Sequence, residues 1–128
     1  MPDYLDTSAF IKLVRSESES RALRAQLAGR ELLSSVLLSI EGRRAARRYG
    51  ALAASRAHAA LAAVTLLPID TPIVDAAGKL EPAELRALDA LHLATIISLG
   101  EHVERVYCYD RRLTHAARAM GIDVSGPS

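Results

Sequence analysis

The feature that most constrains this chain is an alternation. Short apolar runs recur, and stretches with helical periodicity separate them. "DYLD" (3–6), "ELLSS" (31–35), "TLLPID" (65–70), "ERVYCYD" (104–110) and "IDVS" (122–125) read as strands. Between them, "SAFIKLVR" (8–15), "SRALRAQLAG" (20–29), "VLLSIEGRRAARRYG" (36–50), "ALAASRAHAALAAV" (51–64) and "ELRALDALHLATIISLG" (84–100) read as helices. A further helix starts at Thr71-Pro72, with Pro in its first turn, and another covers "RRLTHAARAMG" (111–121). Gly29, Gly100 and Gly121 stand where helices should stop. Strands alternating with helices of this length predict a parallel sheet covered on both faces. With 128 residues and no linker or repeat, the expectation is one domain over 1–128.

Composition then sets limits. Half the residues are hydrophobic but only 4% are aromatic, so Leu, Ala, Ile and Val must build the core. Net charge is +1, which excludes a global attraction to nucleic acid or membrane. Any such affinity must come from local clusters. The only cysteine, Cys108, rules out an intrachain disulfide and fits a reducing compartment. No signal peptide is recognisable, and no apolar run approaches the roughly 18 residues of a membrane span. A cytoplasmic protein is the expectation.

Four carboxylates stand in unusual places. Asp6 and Asp110 each end a predicted strand just before a helix. In an open parallel sheet, ligands bind beyond the carboxyl ends of the strands. Each is also a natural helix N-cap. Asp89 lies in the pattern well within a helix, sharing a face with Leu85, Leu93 and Ile96. An ionised Asp is rarely buried without a partner, and His92, one turn on, is a candidate. Glu41 follows Ile40 one turn after Leu37 and Leu38, where it either turns inward or pairs with Arg44. If the four converge, they repel: two charges about 5 Å apart at an effective dielectric near 20 cost roughly 3 kcal/mol. A hard divalent cation relieves that repulsion, and Mg²⁺ needs only one or two direct carboxylates. Such a site suits hydrolysis of a phosphodiester.

These four acids, in this order, resemble the acidic motifs of the PIN-domain family. Asp6 lies in "YLDTSAF", Glu41 in "SSVLLSIEGRRAARR", Asp89 in "LDALHLATI" and Asp110 in "YCYDRRLTHAA". The pattern spans nearly the whole chain, and its compact form is similar to the VapC-type toxins of bacterial toxin–antitoxin pairs. The resemblance implies a three-layer α/β/α sandwich with a central parallel sheet. It implies a Mg²⁺- or Mn²⁺-dependent endoribonuclease acting on RNA. Asp6, Glu41, Asp89 and Asp110 would be the catalytic quartet, with Asp6, Asp89 and Asp110 holding metal and Ser8 and Thr7 in support. It also implies a homodimer and a cognate VapB-type antitoxin that holds the toxin inactive. Two positions depart from the pattern. Cys108 stands where many members carry Thr or Ser, and Leu113 where Phe is common.

Basic residues are 14 Arg against two Lys, and Arg suits bidentate phosphate contacts. Arg43, Arg44, Arg47 and Arg48 cluster beside Glu41, either as RNA contacts or as a solvated helix face. Arg111 and Arg112 follow Asp110 directly, at a helix N-terminus where the dipole disfavours cations, which leans toward a functional reading. His58, His92, His102 and His115 have no paired ligand spacing, which argues against zinc. Two other functional classes are open to such a chain. One is a non-catalytic PIN-like scaffold that binds RNA or protein. The other is an Asp-dependent phosphatase, which would want an Asp at position 8, where Ser8 stands.

Overall fold

The computed structural model describes residues 1–128 and has the expected alternation. Five strands form one sheet: β1 (Asp3–Leu5), β2 (Leu32–Ser35), β3 (Val64–Leu67), β4 (Val106–Tyr107) and β5 (Val124–Ser125). All pairings are parallel, in the order β3-β2-β1-β4-β5. Seven α-helices connect and cover them: α1 (Thr7–Val14), α2 (Ser20–Leu27), α3 (Leu37–Arg47), α4 (Ala51–Leu61), α5 (Thr71–Gly78), α6 (Ala87–Leu99) and α7 (Arg111–Ala119). No helix is long and apolar enough to cross a membrane.

The layers follow from the period of two along the central strands. Leu5 and Tyr107 point into one core, with Phe10, Leu23, Leu38, Ala57 and Leu61 from α1 to α4. Tyr4, Val106 and Cys108 point into the other, with Leu93, Ile96, Leu113 and Ala117 from α6 and α7. The result is the three-layer α/β/α sandwich around a parallel sheet. Both cores are mainly aliphatic and rich in alanine, and they bury side chains worth about 1.5–3 kcal/mol each.

Two local boundaries differ from the sequence expectation. Helix α6 starts at Ala87 rather than near Glu84, because Arg86 is extended and Pro82 accepts a turn bond from the Leu85 N–H. Asp89 therefore sits in the first turn of α6, not deep inside it. The strand "ERVYCYD" pairs over Val106–Tyr107 only, and the chain then turns to bring Asp110 to the start of α7.

Because β2 and β4 lie on opposite sides of β1, the connections after β1 and β4 diverge to opposite faces of the sheet. Such a switch point opens a crevice at the carboxyl ends of the strands. Asp6 directly follows β1, and its N–H donates to the Tyr107 carbonyl at 3.0 Å. The first and fourth acids are thus tied to adjacent strand ends.

Candidate active site

A cleft of about 340 Å³ opens at this switch point, lined by Asp6, Thr7, Ser8, Glu41, Arg86, Asp89, His92 and Asp110, among others. All four acids singled out in the sequence face it. They come from four elements: the β1–α1 junction, α3, the start of α6 and the β4–α7 junction.

The capping and convergence readings of Asp6 and Asp110 both hold. Asp6 is the N-cap of α1, and its Oδ2 accepts from the Ser8 N–H at 3.1 Å and the Ser8 hydroxyl at 2.6 Å. Asp110 is the N-cap of α7, and its Oδ1 accepts from the Leu113 N–H at 3.0 Å. A cap occupies only one oxygen of a carboxylate. Asp6 keeps Oδ1 and Asp110 keeps Oδ2 for the cleft. Glu41 follows the same pattern: Thr7 donates to its Oε1 at 2.8 Å, and His92 Nε2 lies 2.8 Å from that same atom. Three acids therefore have one oxygen bound to the fold and one left over.

Asp89 differs. It lies in the first turn of α6, where the helix dipole favours a carboxylate. Burial, and then the charges of Asp110, Asp6 and Glu41, nevertheless together push its pKa up to about 6. His92 opposes them. Burial is the larger cause, and the part due to Asp110, Asp6 and Glu41 is like-charge repulsion of Asp89 across the cleft. Burial would also raise Glu41, but the bonds from His92 and Thr7 outweigh it and hold the carboxyl below its usual range.

The sequence suggested a His92–Asp89 pair. The ring instead binds Glu41 and is almost fully buried, at 1% exposure, with Nδ1 2.7 Å from the Tyr4 hydroxyl. Burial alone would lower the His92 pKa. The bond to Glu41 and the charges of Asp6, Glu41 and Asp89 raise it overall. Spacing favoured the neighbour on the same helix and could not reveal a partner 51 positions away.

Ser8 and Thr7 support the acids directly. Ser8 donates to Asp6 and accepts from the Tyr109 N–H at 2.9 Å, which locks the start of α1 to the segment after β4. Cys108 supports the carboxylate of Asp6 and not that of Asp110: its thiol lies 3.4 Å from Asp6 Oδ2 and meets Asp110 only at the backbone carbonyl, at 3.6 Å. Burial, and then the Asp6 charge, push that thiol up to about 12, so it remains a neutral donor. Asp110 needs no Ser or Thr two residues earlier, because the α7 backbone supplies its bond.

The arginines divide. Arg86, which the sequence reading missed, lines the acidic cleft. Its signal was its place three residues before Asp89 in the sequence, although it is the extended N-cap of α6 and not part of the helix. Arg111 and Arg112 are exposed and line a neighbouring hollow with Pro82, Leu85 and His115. Arg44 and Arg47 line a separate shallow hollow with Arg48, and Arg43 is exposed on the same helix. None of these is drawn into the cleft itself.

No group of three His, Cys, Asp or Glu side chains is gathered tightly enough to cage a metal ion by itself. The donors that face the cleft are carboxylate oxygens, the kind Mg²⁺ and Mn²⁺ take; Mg²⁺ in particular retains several waters and binds through one or two carboxylates. The free oxygens of Asp6 and Asp110 and the carboxylate of Asp89 are oxygen donors of this kind.

Comparison with known proteins agrees with this fold. The family model described as PIN domain matches residues 4–119. Ribonuclease VapC46 of Mycobacterium tuberculosis is 44% identical over 126 residues, covering 98% of this chain and 97% of the relative. Ribonuclease VapC47 of the same species is 35% identical and covers 97% and 96%. Among solved structures, M. tuberculosis VapC20, a sarcin–ricin loop cleaving toxin, matches with a TM-score of 0.75 at 19% identity, over 97% of this chain and 98% of that one. A toxin–antitoxin complex from Klebsiella pneumoniae matches with a TM-score of 0.73 at 21% identity, covering 98% of each chain.

Proposed function

The chain belongs to the PIN-domain family, and from that premise we propose that it is a metal-dependent endoribonuclease toxin of the VapC type. One observation carries the reading. Four carboxylates from four separate elements line one cleft, and three of them have one oxygen tied to the fold and one free. A purely structural set of acids would have both oxygens satisfied, or would be spaced apart to avoid repulsion.

In this reading Asp6, Asp89 and Asp110 hold Mg²⁺ or Mn²⁺. Bound there, the ion supplies positive charge to the phosphate and makes water a better nucleophile at neutral pH. The protein does the rest. Ser8 and Cys108 fix Asp6, the α7 backbone fixes Asp110, and Thr7 and His92 fix Glu41. Glu41 Oε2 is left to accept a proton as RNA is hydrolysed. Arg86 offsets the acidic floor and offers a phosphate contact, and Arg111, Arg112, Arg43, Arg44 and Arg47 extend the basic surface beyond it. Residues 1–128 act as a single nuclease domain in the cytoplasm. A cognate VapB-type antitoxin and a second copy of the chain are the protein partners, as the kinship to VapC ribonucleases suggests.

The test is cleavage of a mixed structured RNA pool with Mg²⁺, with Mn²⁺ and with EDTA. Wild type should cut only with metal, and Asp89→Asn should not cut. Asp6→Asn should melt as a folded protein and also fail to cut. Cleavage that persists in EDTA, or in both variants, overturns the reading.

A further inference from the structure

His92 deserves a role of its own. Its Nε2 faces only acceptors: Glu41 Oε1 at 2.8 Å and Asp6 Oδ1 at 3.8 Å. The Thr7 hydroxyl lies 3.3 Å away, but its hydrogen is already committed to Glu41. Nε2 must therefore carry the hydrogen and donate it to Glu41. The other ring nitrogen meets the Tyr4 hydroxyl, which already accepts from the Ser35 N–H at 3.2 Å. That hydroxyl retains its hydrogen and a second lone pair for the ring, so it can serve Nδ1 in either role. The Tyr4 and His92 rings meet edge to face, with centroids 5.9 Å apart. A chain of contacts thus runs from the end of β2, through Tyr4 on β1 and His92 on α6, to Glu41 on α3.

The consequence lies at Glu41. Its side chain has three rotatable bonds and is 22% exposed. One donor on one oxygen would leave the carboxylate free to swing about that oxygen. Two donors from different directions, Thr7 and His92, converge on Oε1 and fix the plane of the group.

We propose that His92 is a positioning residue for Glu41: its Nε2–H, aimed by the Tyr4 hydroxyl, holds Oε1 and so presents Oε2 to the cleft. This rests on the nuclease reading, in which Glu41 serves the cleavage step. His92 itself touches neither RNA nor the reacting atoms.

The experiment is single-turnover cleavage with Mg²⁺, together with RNA affinity and thermal melting, for His92→Leu, His92→Gln, Glu41→Gln and the His92→Leu/Glu41→Gln pair. Leu keeps much of the volume without a donor, and the Gln amide nitrogen reaches where Nε2 stands. His92→Leu should lower the cleavage rate about 10–100-fold, the usual loss for an orienting partner, with RNA affinity within about twofold of wild type. His92→Gln should recover most of that loss. In the Glu41→Gln background, His92→Leu should cost less than about twofold more, because residues acting as a unit are not additive. Independent losses in the double variant overturn the proposal, as does a Gln variant as slow as the Leu one. If His92→Leu does not fold, long-range ¹⁵N–¹H spectra of the imidazoles decide. The Nε2–H signal of His92 should be protected and downfield in wild type and shift upfield in Glu41→Gln, and an unmoved signal overturns the proposal. Wild type that fails to cut RNA at all refutes the nuclease reading instead, and the spectra still test the His92–Glu41 bond.

Discussion

At the scale of a single residue, Asp89 has a measurable consequence for stability. Its carboxyl pKa is about 6 in the fold against 3.8 in the unfolded chain, pushed up by burial and by Asp110 and Asp6. The folded state therefore binds more protons than the unfolded state between those values, and stability falls as pH rises through the window. The penalty is complete above about pH 6 and absent below about pH 4. The shift alone corresponds to about 3 kcal/mol, but Asp89 is only half-buried, and solvent screening reduces this to about 1–2 kcal/mol. In metal-free buffer, Asp89→Asn should raise stability to urea by that amount at pH 7.5, and the gain should vanish near pH 4. On the proposed metal site, adding Mg²⁺ should stabilise wild type more than the variant, because an ion held only by the folded state stabilises it and the repelling carboxylate gains most. An Asn variant less stable than wild type at pH 7.5 would mean that Asp89 is structurally satisfied. Its oddity was visible in the sequence, though for an incomplete reason. The apolar neighbours made it conspicuous, but it lies in the first helical turn, and only the folded cleft reveals the repulsion.

At the scale of an element, the placement of Glu41 depends on the packing of α3 against α1. Gly42 makes that approach possible. A Cβ there would lie 2.7 Å from Phe10 Cε2 and 2.9 Å from Cδ2, and Phe10 is fully buried. Alanine would gain up to about 1 kcal/mol of helix propensity, but forcing a buried ring aside costs about 1–3 kcal/mol. Overpacking should win, so Gly42→Ala should lose about 1–2 kcal/mol in urea denaturation. It should also slow RNA cleavage, because Glu41 is the adjacent residue. The sequence carried most of the architecture at this scale. Alternating apolar runs gave five strands and seven helices, Gly29 and Gly121 adopt φ of +74° and +78° where helices were expected to stop, and α5 starts at Thr71-Pro72 as expected. It missed the start of α6 because "ELRA" has good helix formers, whereas Pro82 and the extended Arg86 decide the boundary. Gly42 itself gave no sign, since a glycine inside a helical pattern does not disclose which side chain crosses it.

At the scale of the whole molecule, the question is how RNA reaches an acidic cleft on a chain of net charge +1. Four carboxylates repel a phosphate backbone, and the global charge is too small to offset them. The compensation must come from local cations around the opening. Arg86 lines the cleft, and Arg111 and Arg112 line the hollow beside it, directly after Asp110. These two arginines stand in the first turn of α7, the end where the helix dipole disfavours a cation, which a merely solvated face gives no reason to choose. Binding measured with Asp89→Asn, which leaves the RNA uncut, should therefore weaken with salt. Each phosphate contact on a single strand contributes a slope of about −0.7 to log K against log salt. Arg111→Gln/Arg112→Gln in that background should flatten the slope by about 1.4. Arg21→Gln/Arg56→Gln removes the same two charges from exposed positions on α2 and α4 that line neither hollow. It should leave the slope within about 0.3 of the parent, a small fraction of one contact. Equal effects from the two pairs would mean that RNA senses only net charge, and the arginines after Asp110 would then be an ordinary solvated surface.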